Sequence, residues 1–138
     1  MKPAFVSSVA CTVLMVALST HSAFAAPETV TSGPEAAAVI GVSDLAAQNG
    51  VVSAVLVNRS RRLVKDVKLL VRHAWLWNNE RHPGTDNPGR AEYYVARGQI
   101  PVGGSLPFTY HPQPPLPRRS DGRFTTTVEV VGFTEVGD

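Results

Sequence analysis

The sequence predicts an all-β protein: a single antiparallel β-sandwich. Three observations carry this prediction. From Val67 to Trp77 the chain alternates for eleven residues without Gly or Pro, placing Val67, Leu69, Val71, His73, Trp75 and Trp77 on one face. Turn signals recur between short β-branched runs, at Gln48-Asn49-Gly50, Asn58 to Arg62, Pro83-Gly84, Pro88-Gly89 and Pro101 to Gly104. Sustained helical periodicity is missing outside one ambiguous stretch. With 138 residues, 43% hydrophobic and 17% charged, the chain can build one core and is too short for two ordinary domains.

The first residues predict export. Lys2 precedes a mostly apolar stretch from Ala4 to Leu18, and Ala23-Phe24-Ala25 fits a signal-peptidase site. Cleavage after Ala25 is favoured, because cleavage after Ala26 would leave Pro27 directly behind the scissile bond. The apolar stretch falls short of the roughly 20 residues a membrane-spanning helix needs. The expected layout is a signal peptide over 1–25, a flexible lead-in over 26–36 and a sandwich domain over 37–138. The destination is the periplasm or the exterior, with no transmembrane segment in the mature chain.

Cys11 is the single cysteine. A lipoprotein cysteine would follow the apolar stretch, whereas Cys11 lies inside it and leaves with the leader. The mature chain therefore has no disulfide and no thiolate, and must be held by apolar burial. Lys2 is the only charged residue before Glu28, so 12 of the 13 basic residues remain against 11 acidic ones. That near-neutral balance gives no reason to expect nucleic-acid binding, despite a sequence pI of about 9.0.

Along the mature chain, Pro27 to Glu35 is polar and turn-rich. Ala36 to Leu45 is ambiguous, since its alanines favour a helix while Val39-Ile40 and Val42 favour a strand. Val51 to Val57 reads as a buried strand, Asn58 to Arg62 as its turn, and Val67 to Trp77 as the long alternating strand. Asn78 to Gly89 is a loop, Tyr93 to Val95 a short strand, and Ile100 to Gly104 a turn into a strand over Ser105 to Tyr110. His111 to Gly122 carries Pro112, Pro114, Pro115 and Pro117 and reads as a polyproline-like surface loop. Phe124 to Val136 closes the chain as a strand bulged at Gly132, where the inward set shifts from Val128 and Val130 to Val131 and Phe133.

Three strings together resemble a family. They are Val55-Leu56-Val57-Asn58-Arg59-Ser60, Val64-Lys65-Asp66-Val67-Lys68-Leu69, and Ile100-Pro101-Val102-Gly103-Gly104-Ser105-Leu106-Pro107-Phe108. They resemble the small immunoglobulin-like or fibronectin-type-III-like modules of bacterial envelope proteins, in particular the Phe-x-Leu-Tyr-Asp type domains. The likeness spans roughly Val51 to Phe133, with His73-Ala74-Trp75-Leu76-Trp77 where the Phe-x-Leu-Tyr-Asp string would stand. It implies an immunoglobulin-like sandwich with a recognition or structural role and no catalytic residues.

Candidate chemistry is sparse. His82 and Asp86 stand four residues apart near Glu80 and Glu92, but the two Pro-Gly breaks exclude the helix that would converge them. The string also lacks the pattern of a calcium loop. A zinc site would have to recruit His73 and His111 from distant segments. No Gly-x-Ser-x-Gly or Ser-x-x-Lys motif marks a nucleophile. The cations Arg59, Arg61, Arg62, Lys65 and Lys68 read as a solvated hairpin end. Pro114 to Arg119 matches a Pro-x-x-Pro-x-Arg ligand and reads as a stiffened loop.

The functional expectation is an exported, non-enzymatic module that recognises an envelope or extracellular protein or polysaccharide, without metal or cofactor. Its candidate binding residues are Trp75, Trp77, Asn79, Glu80, Arg81 and His82, where aromatics meet a polar rim at the end of the long strand. The alternative is a small envelope enzyme or metal-dependent binder centred on the 78–92 loop.

Overall fold

The alternating strand organises the molecule. A computed structural model describes residues 25–79, 81 and 86–137 of the chain. Residues 1–24, which hold most of the expected signal peptide, lie outside the described residues. Elements run in the order β1 (Glu28–Ser32), α1 (Pro34–Val39), β2 (Ile40–Gln48), β3 (Val51–Asn58), β4 (Leu63–Trp77), β5 (Arg90–Ile100), β6 (Ser105–Tyr110) and β7 (Gly122–Val136). One sheet has the order β1-β7-β4-β5 and the other β2-β3-β6, and every pairing is antiparallel. Four strands against three form an antiparallel β-sandwich.

β4 is the spine of the larger sheet, flanked by β5 on one side and β7 on the other. Its predicted inward face is the core: Val67, Leu69, Val71 and His73 are fully buried and Trp75 is 7% exposed. The opposing face comes from Val52, Ala54 and Leu56 of β3 and Phe108 and Tyr110 of β6. β4 also starts earlier than its alternation suggests. Val64 and Val67 are both buried although three residues apart, because Asp66, at φ 50°, is an extra residue that resets the phase. A second bulge in β7, at Val131-Gly132, moves the buried set from Val130 to Phe133 as the sequence predicts, while Val131, expected inward with Phe133, is only half-buried.

The lead-in is where the expectation needs correction. Glu28–Ser32, expected to be flexible, is strand β1, laid along β7 with Glu28 opposite Val136 and Ser32 opposite Gly132. Its side chains are almost all exposed, so backbone pairing holds it, with a Lys65–Glu28 ion pair at its start. No apolar alternation could announce such a strand. The ambiguous Ala36 to Leu45 stretch divides: a six-residue helix buries Ala36, and the chain turns to strand at Ile40.

Asn58, fully buried at the end of β3, joins two turns. Its Nδ2 donates to the carbonyls of Arg62 at 2.8 Å, Ile100 at 2.9 Å and Pro101 at 3.2 Å. Its Oδ1 accepts from Ser60 N at 2.9 Å and Ser60 Oγ at 2.7 Å. The main chain of Asn58 is also tied to Gly103 and Gly104. The Asn-Arg-Ser turn and the Pro-Val-Gly-Gly turn, separate in sequence, are thus a single clamp at one end of the sandwich.

Candidate functional site

The opposite end of β4 is built differently. Past Val71 the inward face changes from aliphatic to polar-tipped aromatic, with His73, Trp75 and Trp77 in succession. Trp75 stands opposite Phe124 in the β4–β7 register, and their rings meet edge-on at 4.7 Å. Trp77 meets Trp75 edge-on at 5.9 Å. The close fit depends on Gly122, opposite Trp77, since a Cβ there would lie 2.6 Å from Trp75 Cε2 and Cζ2 and 2.3 Å from the Leu76 carbonyl.

The proline-rich segment between β6 and β7 lies across this end as a strap. Leu116 fills the notch above Gly50 in the β2–β3 turn, where any Cβ would fall 2.7 Å from the leucine side chain. Gly50 also has φ 83°, which favours glycine on backbone grounds. Arg119 lies over both indoles, its guanidinium carbon 5.3 Å from the Trp75 ring centre and 5.2 Å from that of Trp77. Asp121 fixes it bidentately, with Nε to Oδ1 at 2.9 Å and Nη2 to Oδ2 at 2.5 Å, and this hydrogen-bonded pairing raises the arginine pKa further. Arg119 Nη1 also donates to the Asp86 carbonyl at 2.9 Å. Arg90 donates to the Pro114 carbonyl, and Asn78 Nδ2 to the Ser120 carbonyl at 2.9 Å. Both rims of the strap are therefore tied to the sheets.

Two clefts flank Trp75. The larger, about 560 Å³, opens between the β2–β3 turn, the strap and the start of β7, with Trp75, Leu116, Pro117, Arg118 and Phe124 in its walls. The smaller, about 320 Å³, is bordered by His73, Trp75, Gly89 and Arg90. His73 Nδ1 shares a hydrogen bond of 2.9 Å with Thr126 Oγ1, and its ring stacks on Tyr110 across the sandwich at 6.2 Å. Burial, and secondarily the nearby Arg90 charge, hold its pKa below the usual value, so the imidazole is neutral. His73 Nε2, Trp75 Nε1 and Tyr110 Oη are buried without a hydrogen-bond partner, a concentration of unmet polar groups at one end of the molecule. Arg90 Nε is also unbonded, lying 3.3 Å from Glu92 without hydrogen-bond alignment.

The six candidate residues take different positions. Trp75 is an inner wall, and Trp77 is half-buried at the rim. Asn79 and Arg81 are exposed beyond it, where Asn79 Oδ1 accepts from Arg81 N at 3.1 Å. Glu80 and His82 lie outside the described residues, as do Pro83 to Thr85. Leu116, Arg118 and Arg119, read from the sequence as part of a stiffened Pro-x-x-Pro-x-Arg loop, and Phe124, read as the start of the last strand, join the site without having been candidates for it. The available signal was an aromatic-ended core strand that needs a cover, with a loop rich in proline and arginine elsewhere in the chain.

The basic run sits near the clamp end and is largely engaged. The Arg59 guanidinium covers Gly41, Lys65 pairs with Glu28, and Lys68 lies 4.5 Å from the Tyr93 ring centre. Among the described residues no group of three His, Cys, Asp or Glu side chains is arranged to hold a metal, and no helix is long and apolar enough to cross a membrane. No family model, no curated protein and no solved structure matches this chain.

Proposed function

We propose that the protein is an exported, non-enzymatic recognition module of the envelope, kin to the immunoglobulin-like modules it resembles, and that it binds its protein or polysaccharide partner with the strap end. One observation carries the reading: Arg119 is locked over Trp75 and Trp77 by Asp121 and the Asp86 carbonyl beside an open cleft. A surface held in place before contact loses little side-chain freedom on binding, and aromatic and arginine groups are those that dominate contact energies. Both clefts described above border Trp75, at the opposite end of β4 from the clamp.

Co-sedimentation with envelope isolated from the source cells tests this. Wild-type mature protein is expected to sediment with the envelope, Trp77→Ala to stay largely in the supernatant, and Arg62→Ala, at the clamp end, to behave as wild type. Equal sedimentation of wild type and folded Trp77→Ala would overturn the assignment, as would failure of the wild type to sediment.

A further inference from the structure

We infer that the larger cleft beside Trp75 is a binding site for an organic anion with an apolar body; this rests on the recognition reading above and names what the strap end recognises. The walls have two characters. Leu116, Pro117, Phe124 and the Trp75 ring provide apolar surface, while Arg118, Arg119 and Arg123 border the cleft and no carboxylate lines it among the described residues. Arg119 is neutralised by Asp121. The Arg118 and Arg123 side chains have no ion pair or hydrogen bond among the described residues, and Arg118 is exposed on the strap. The cleft thus presents net positive charge beside the apolar patches of its walls.

The ligand's charge follows from the donors that border the cleft. Guanidinium groups donate and cannot accept, and a carboxylate accepts without donating. At about 560 Å³ the cleft is of the size that small organic ligands occupy. A purely inorganic anion would leave the apolar walls wet, and a neutral apolar molecule would leave the guanidinium groups unanswered.

Both tryptophans of the chain stand at this site, so intrinsic fluorescence reports on it directly. The full mature protein would be titrated with phenylbutyrate, with phenylbutanol as the neutral counterpart and acetate as the anion without a body. Phenylbutyrate is expected to give a saturable emission change with a Kd on the order of 1 mM or tighter, the range set by a ligand of that size. Phenylbutanol and acetate are each expected to bind about tenfold more weakly or worse, and Arg118→Ala to weaken phenylbutyrate by about tenfold, as for loss of a charge-assisted hydrogen bond. Circular dichroism matching wild type would show the variant to be folded. Equal binding of alcohol and carboxylate, unchanged affinity in Arg118→Ala, or no saturable response to phenylbutyrate would each overturn the inference. If phenylbutyrate fails while envelope binding still depends on Trp77, the ligand class falls and the recognition surface stands. If both fail, the recognition reading falls with it.

Discussion

Replacing Asn58 by Ala removes five side-chain contacts at once, three from the two N–H groups of Nδ2, which three carbonyls share, and two accepted by Oδ1. Their surroundings differ, and so do their contributions. The Ile100 carbonyl is buried, so losing its donor costs about 1–3 kcal/mol for an unmet acceptor. The Arg62 and Pro101 carbonyls and the Ser60 groups are only part-buried and regain water, leaving a net loss of about 0.5 kcal/mol each at the low end of the usual range. The sum is about 3–5 kcal/mol, a large share of the roughly 5–15 kcal/mol that holds a domain together. Urea unfolding followed by tryptophan emission measures it, through the midpoint at constant slope.

Asn58→Asp sharpens the test. A carboxylate cannot donate, and here it would face three carbonyl oxygens. At neutral pH this variant should be less stable than Asn58→Ala. Its carboxyl pKa should be raised in the native state, so stability is present below the unfolded value near 3.9 and lost as pH rises through the raised one. A loss below about 1 kcal/mol for Asn58→Ala, or an Asp variant as stable as the Ala variant at neutral pH, would refute the clamp as a stabilising device.

Three further outcomes follow from the tryptophan end. Trp75→Ala should lose about 3–5 kcal/mol in the same urea assay, as a core aromatic does, whereas Trp77→Ala should lose only about 1–2 kcal/mol, for one edge contact and half of a cation–π stack. Gly122→Ala should cost about 1–3 kcal/mol through overpacking and alter the near-ultraviolet dichroism of Trp75, because the new Cβ meets both the ring and the Leu76 carbonyl. His73 has a depressed native pKa, so the unfolded chain binds the proton more readily. Stability should therefore fall as pH drops below the unfolded value near 6.5 toward the depressed native one, and His73→Asn should flatten that slope; equal slopes in denaturation series at several pH values would contradict this.

The larger sheet was legible because its spine obeys a period of two: Val67, Leu69 and Val71 declare their face, and Gly132 marks where β7 changes phase. β1 was not, because its side chains bury almost nothing and only its backbone is used. The two turns of the clamp were each visible, but their union depends on Asn58 reaching a carbonyl 42 residues away, which no local pattern encodes. The candidate site was half legible for the same reason. Trp75 and Trp77 stand out on the strand, while Arg119 looks like one more charge in a proline-rich loop until the fold lays it across them.

The clamp has a bearing on which parts of the chain are free to change. The Asn58 amide addresses main-chain oxygens, so it holds Arg62, Ile100 and Pro101 by position and not by the chemistry of their side chains. Arg61, Arg62 and Val102 are exposed around it. Substitutions there should drift widely at little penalty while Asn58 and Ser60 are kept, whereas a change in the length of the Pro101 to Gly104 turn would part Gly103 and Gly104 from Asn58. The turn end can thus be recoloured residue by residue, at the far end of the long strand from the tryptophans.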